Sequence, residues 1–412
     1  MSSFPAGRAR MSPPVIVLLL TLLLGIQPIT TDLYLPTLPT LSREFGASAG
    51  AVQLTLSVLI ICFGLAQLVC GPLADRFGRR PVLLVGMVIY TAASLLSAFA
   101  PAIEWLVVWR ALQGAAMAAA VTCGRSIVRD LFPPHEGAKV MSRALTGLGV
   151  IATLSPITGG LLVQWINWHA ALLVLALFGA GALGFIAWRF EETVPQRNPQ
   201  ALRPAALWRN WAAVLADPTF RAWASLSALT YSGLFLYLAG SSFVFVQVLG
   251  LSRANYGLLM ATNSFAYIGG TLLCRHLLAS RGLRRTVRLG GGFSLAGGLL
   301  LAALALGGVR SAWAIVVPMW IFAIGHGIHQ PCGQAGAVGP FPEKAGAAAA
   351  MSGFAMSLAA FVAGLWLGRS NDGTVYPLTL GIAAIALGTA GVAWTLVQRH
   401  GEPVPAARAR PA

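Results

Sequence analysis

The chain is 412 residues long, 57% hydrophobic and only 10% charged, with a formal net charge of +16. A soluble domain is about 45–50% apolar and about 25% charged, so this composition excludes an ordinary water-exposed surface. The basic excess does not mark a nucleic-acid binder either, because Lys and Arg are spread over many short loops rather than gathered on one face; they read as charge that sets membrane topology.

Apolar stretches near the roughly 20 residues that cross a bilayer recur along the whole length. In chain order they predict helices at 15–36, 51–71, 81–100, 104–126, 144–164, 168–188, 220–242, 256–276, 286–307, 311–332, 345–367 and 375–397. Arg8 and Arg10 precede the first run as in a signal peptide, but no small-residue cleavage site follows, so that run is read as a retained membrane helix. The longest polar interruption, 189–219, contains Glu191, Glu192 and several arginines and prolines. It divides the chain into a six-helix bundle over 1–190, a linker over 191–219 and a second six-helix bundle over 220–412. The expected fold is an all-α integral membrane protein of twelve transmembrane helices.

With both termini inside, the outer loops hold only Arg43, Arg253, Arg310 and Arg369 of the 28 Lys and Arg residues. The spans hold Arg110 and Arg125, and the rest lie in inner segments. This is the positive-inside pattern. The halves are also related to each other. LADRFGRRPV at 73–82 aligns without gaps to LASRGLRRTV at 278–287, and both segments follow the second helix of their half. A parallel repeat of two six-helix bundles is thus written into the chain. Five cysteines (Cys62, Cys70, Cys123, Cys274 and Cys332) all lie in apolar stretches without a CxxC pair, so neither a disulfide nor a metal framework is implied.

Residues 71–81, GPLADRFGRRP, carry the most specific signal. Four charges in six positions form a charged hairpin between two apolar runs, with Gly71 and Gly78 read as allowing close packing and a tight turn. The segment resembles the second-to-third-helix loop of the major facilitator superfamily, G-x-L-A-D-R-x-G-R-[RK]. Gly71, Asp75, Arg76, Gly78, Arg79 and Arg80 stand at its fixed places. The resemblance implies a gating role for these residues, with Arg79 and Asp130 completing a charge cluster around Asp75.

Asp32 alone among the twelve acidic residues lies well within an apolar span. A carboxylate in hydrocarbon costs several kcal/mol unless it is paired, solvated by a cavity or protonated, which suits it to taking up and releasing a proton. A cap at the outer end of the first helix, near Pro36 and Pro39, is the alternative reading. The surrounding TDLYLP (31–36) resembles the first helix of the bicyclomycin- and chloramphenicol-resistance branch of drug:proton antiporters. Arg110 opens RALQGAAMAAAVTCGRSIVRD (110–130), similar to the superfamily's fourth-helix pattern R-x-x-Q-G. A guanidinium cannot deprotonate to escape the membrane, so it must face a cavity or a partner. The resemblance implies that Arg110 modulates the proton-carrying carboxylate. Gln113 shares its helical face. In LSPITGG (154–160), Pro156, Gly159 and Gly160 match the family's antiporter signature, and Ser155 replaces its first glycine. Read without the family, the segment is a proline kink with close packing. In the family such a helix lines the interface between halves and resists leak.

His326 and His329, in GHGIHQP, are three residues apart, but no further ligand cluster accompanies them, so buried hydrogen-bonded histidines are favoured over a metal site. Tyr34, Gln113, Tyr231, Phe235, Asn263, His329 and Phe354 are candidate substrate contacts. The aromatic ones among them read equally well as core. Taken together, the resemblance implies a proton-coupled multidrug efflux antiporter. It would export small, largely apolar compounds across a bacterial inner membrane by alternating access, as a monomer without a cofactor. Its partners would be protons, a small-molecule substrate and the lipid bilayer. No Walker-type phosphate loop is present. A proton-coupled exporter of one metabolite (an amino acid, nucleoside or sugar) fits the same pattern. An intramembrane lipid transferase does not, because it would need clustered carboxylates for a metal–diphosphate, and so no enzyme is expected.

Overall fold

The computed structural model describes residues 11–194 and 196–401, and its regular structure there is helical. The elements are α1 (Pro13–Asp32), α2 (Leu38–Glu44), α3 (Ala49–Phe77), α4 (Arg79–Ala98), α5 (Ile103–Leu131), α6 (Pro134–Trp165) and α7 (Trp168–Arg189). They continue with α8 (Pro204–Ala216), α9 (Pro218–Phe243), α10 (Arg253–Leu306), α11 (Trp313–Val338), α12 (Ala345–Ser370), α13 (Tyr376–Trp394) and α14 (Leu396–His400). Among the described residues, ten stretches are long and apolar enough to span a membrane, the first of them running from α1 through α2. The 54-residue α10 is two spans, since Gly282 sits at φ 74°, ψ 172° and breaks it. With α11, whose His326, His329 and Gln330 lower its hydropathy, the spans number twelve, as the sequence predicts.

Local chemistry accounts for the ends. Pro13 and Pro218 stand at first helical positions, where the missing N–H costs nothing. Ser48, Asn167 and Asp217 cap α3, α7 and α9 through side-chain oxygens that accept backbone N–H groups. Indole rings exposed near helix ends, such as Trp105, Trp165, Trp188 and Trp313, suit the water–lipid boundary. Several boundaries differ from the sequence reading: α6 begins at Pro134 rather than 144, α5 runs to Leu131 rather than 126, and α11 runs to Val338 rather than 332. Two further differences bear on the site. α3 does not stop at residue 71 but runs to Phe77, so the hairpin reduces to a single break at Gly78, where φ is 106°. A helix already started is free to run past the apolar core into the headgroup region, and only a residue tolerating positive φ turns the chain there. α1 stops at Asp32 rather than 36, because Pro36 has no N–H to offer the Asp32 carbonyl. A short 3₁₀ turn (Leu35–Thr37) then bridges to α2.

The described chain forms two compact units. One comprises the residues up to Leu207 with Phe245–Ser264, and the other Trp208–Val244 with the residues from Phe265. In the first, small residues bring helices close. A Cβ on Gly86 would stand 2.7 Å from the Ala119 methyl, and one on Gly114 would collide with the Leu59 carbonyl. In the second, Trp223 is fully buried and donates its Nε1–H to the Gly401 carbonyl (2.9 Å), fastening α9 to the end of α14. The linker carries α8, of which only Val214 is buried.

Candidate functional site

The interruption after α1 assembles a buried polar nest in the first unit. Pro36 ends α1 at Asp32, and the 3₁₀ turn that follows leaves Tyr34 beneath the Arg110 guanidinium, 4.1 Å from ring centroid to Cζ. Arg110 is 0% exposed. Its Nη1 donates to Gln113 Oε1 (2.5 Å) and its Nη2 to the Thr30 carbonyl (3.1 Å), while Nε–H has no partner. Gln113 Nε2 donates to Ser94 Oγ (2.6 Å), which donates to the Tyr90 carbonyl (2.7 Å). The Tyr90 hydroxyl meets Thr30 Oγ1 at 2.6 Å, and the Tyr34 hydroxyl meets Thr55 Oγ1 at 2.7 Å. Four helices, α1, α3, α4 and α5, thus converge on one cation surrounded by neutral dipoles and an aromatic face.

Asp32 is partly buried, and its Oδ1 accepts from Thr31 Oγ1 (2.7 Å). No ion pair joins Asp32 to Arg110; the nearest ion-paired arginine in the sequence, Arg79, meets Asp75 and Asp130 instead. The two groups are linked through adjacent residues of α1, the Thr30 carbonyl on Arg110 and the Thr31 hydroxyl on Asp32. Because α2 prolongs the span to Glu44, Asp32 lies deeper in it than the sequence reading placed it.

α6 crosses this region at backbone contact. A Cβ on Gly159 would be 2.9 Å from Leu33 C and closer still to its oxygen, and one on Gly160 would be 2.5 Å from the Arg253 carbonyl oxygen. A Cβ on Gly257 would in turn collide with the Pro156 carbonyl. The antiporter-like SPITGG segment therefore lies against the residue that follows Asp32 on one side and the start of α10 on the other. Ser155, at the position where the family pattern has glycine, is buried and donates to the Ile151 carbonyl (2.6 Å).

A second cluster lies at the α3–α4 break. Arg79 is 3% exposed, its Nη1 donating to Asp75 Oδ1 (2.6 Å) and its Nε to Asp130 Oδ2 (3.0 Å). Arg76 is exposed, over the Phe77 ring, and Arg80 donates to the Ala187 carbonyl (3.1 Å). Gly71 corrects one expectation. A methyl there would meet only Thr122 at 3.8 Å, an ordinary contact, so packing does not require glycine at 71 as it does at 78.

The remaining candidates are divided between the units. Asn263, nearly buried with Oδ1 unpartnered, belongs to the first. In the second, Phe235 and His329 are fully buried, whereas Tyr231 and Phe354 are partly accessible. His329 Nε2 lies 3.1 Å from the Val287 carbonyl, and His326 Nδ1 lies 3.1 Å from Thr230 Oγ1. No group of three or more metal-ligating side chains occurs among the described residues. Sequence reasoning missed Thr30, Thr55, Tyr90 and Ser94 around Arg110, although polar residues in apolar runs are themselves a signal. It also missed Glu192, for which no local pattern exists.

Residues 20–364 match the model of the Major Facilitator Superfamily. The chain belongs to that superfamily. It is 30% identical over 351 residues to the chloramphenicol resistance protein of Pseudomonas aeruginosa, covering 83% of this chain and 81% of the relative. It is 29% identical to the multidrug resistance protein D of Escherichia coli strain K12, covering 82% of this chain and 84% of that one. These similarities support a place for the transporter in the bicyclomycin- and chloramphenicol-resistance branch. A crystal structure of a D-xylose–proton symporter shares the fold, with a TM-score of 0.72 at 16% identity over 95% of this chain and 99% of that one.

Proposed function

We propose that this transporter is a proton-coupled multidrug antiporter, exporting small, largely apolar compounds by alternating access across a bacterial inner membrane with both termini in the cytoplasm. The observation that carries the reading is the placement of Asp32. It is a carboxylate at a helix interruption inside a span, two residues from the Thr30–Arg110 contact and one residue from the Leu33–Gly159 crossing. A carboxylate so placed exchanges a proton at low cost only when its surroundings change, and both neighbouring contacts are with helices that the mechanism would have to move. Arg110, fixed by Gln113, Thr30 and Tyr34, supplies a permanent positive charge near that proton. Arg79, with Asp75 and Asp130, serves as the inner gate. The names of the resistance relatives support drugs as the substrate class.

The test is a drug-susceptibility panel in a host stripped of its own exporters, followed by proteoliposomes under an imposed pH gradient. Protection against several chemically unrelated apolar drugs is expected, and Asp32→Asn should bind drug yet fail to use the gradient, since the amide keeps the shape and loses the proton. Full gradient-driven transport by Asp32→Asn refutes the assignment. Protection against no drug, with export of a single metabolite, refutes the multidrug reading but not the coupling.

A further inference from the structure

The segment joining the two six-helix bundles is generally a tether, yet here its first residues are built into the α3–α4 break. Glu192 Oε1 accepts from the backbone N–H of Arg79 (2.8 Å) and Oε2 from that of Arg80 (3.1 Å). Oε1 also accepts from Thr193 N (3.0 Å) and Val194 N (3.1 Å). The first amides of a helix lack intrahelical partners and carry partial positive charge, so a carboxylate satisfies them well. α4 has no cap from its own chain neighbour, because Gly78 offers no side chain. Its cap comes instead from 113 residues further along.

Gly78 and Glu192 are matched. Gly78 has φ 106°, which L side chains rarely adopt, and a Cβ on it would come within 2.9 Å of Glu192 Cδ and closer to a carboxylate oxygen. The space that glycine leaves is the space the carboxylate occupies. Two further bonds fasten the same segment: Thr193 Oγ1 donates to Asp130 Oδ2 (3.4 Å) and Asn198 N to the Asp75 carbonyl (2.9 Å). Arg79 is therefore held by its side chain through Asp75 and Asp130 and by its backbone through Glu192. Among the described residues the repeated segment in the second half is built differently. Leu283 stands opposite Gly78 and Ser280 opposite Asp75, and the Arg284 carbonyl is bonded by Gln398 Nε2 (3.2 Å).

We propose that Glu192 is a positioning residue of the gate, coupling the start of the linker to Arg79, so that displacement of the linker releases the α4 start and with it the Arg79 pairs. This rests on the gate reading above. The test uses the full chain in proteoliposomes, with the compound that gives the strongest protection in the susceptibility panel. Loss of a helix cap corresponds to roughly a two- to thirtyfold change in an equilibrium. Glu192→Ala is thus expected to lower the maximal transport rate within that range with KM unchanged, and Glu192→Gln, which keeps one acceptor, to fall between it and the native protein. Gly78→Ala should also slow transport, but its cost should shrink in the Glu192→Ala background, where the colliding carboxylate is gone. Independently of transport, a cysteine placed at Thr193 in a variant lacking the five native cysteines should react several-fold faster with a water-soluble maleimide once Glu192 is Ala or Gln. Native labelling and native rates in both Glu192 variants overturn the proposal; if Asp75→Asn still slows transport, the gate reading survives that result. Strictly additive Gly78 and Glu192 effects overturn the matched pair. A native rate in Asp75→Asn overturns the gate reading and this proposal with it.

Discussion

Two glycines of α6 allow the closest contact in the candidate site to be isolated from helix propensity. Gly149 and Gly159 lie in the same helix, and replacing either by Ala favours the helical backbone by about 1 kcal/mol. Around Gly149 an added methyl meets nothing within 4 Å, whereas at Gly159 it falls 2.9 Å from Leu33 C and 3.1 Å from Leu33 Cα, with the carbonyl oxygen nearer still. Favourable carbon contacts begin near 3.5 Å, so α6 and the end of α1 would have to separate by on the order of 1 Å. The obstacle is backbone rather than a rotatable side chain, and overpacking of this kind costs about 1–3 kcal/mol. Gly149→Ala is therefore expected to be neutral or stabilising. Gly159→Ala should lie about 1–3 kcal/mol below it, and should slow transport because the displaced segment adjoins Asp32. Thermal unfolding of the two purified variants in one detergent, with rates in proteoliposomes, measures both. Equal stability of the two variants, with a native transport rate for Gly159→Ala, would refute the close crossing and its link to the coupling carboxylate.

Arg110→Lys replaces a planar fork, stacked on Tyr34 and bonded to Gln113 and Thr30, by a point charge unable to reproduce that set. A loss of about 2–4 kcal/mol in stability with strongly impaired transport is expected; a native melting temperature and rate would contradict the nest. His329→Ala removes a fully buried ring bonded to the Val287 carbonyl, and should lower stability by about 1–3 kcal/mol while leaving the drug KM unchanged. A raised KM at native stability would instead assign His329 to substrate contact.

The cluster around Arg110 shows why the coupling chemistry and the packing cannot be separated. No carboxylate neutralises this cation among the described residues. Its charge is held by a carbonyl, an amide oxygen and a ring face, each fixed in turn by a hydroxyl or a helix backbone. Removing any one leaves a desolvated donor rather than a vacant surface, which is costly in a dry interior. The same reasoning applies at Arg79, where two carboxylates replace the neutral dipoles and a third, from the linker, holds the backbone.

Much of this architecture was legible in the chain itself. Hydropathy marked twelve spans because lipid demands about 20 apolar residues for each crossing whatever the tertiary fold. The charged break at 75–80 and its copy at 280–285 revealed the two halves, and Asp32 and Arg110 stood out because an ionisable group in an apolar run is rare. Even the end of α1 at Asp32 follows from Pro36, four residues on, although hydropathy alone carried the helix to 36. Tertiary structure decided what no local pattern encodes: which groups answer these charges. Thr30 and Tyr34 reach Arg110 from the end of α1 and the turn that follows it, Leu33 meets Gly159 across another crossing, and Glu192 caps a helix that begins 113 residues before it. Such partners depend on the approach of backbones to within a few ångströms. That approach is set by the packing of small residues summed over whole helices rather than by the identity of either partner.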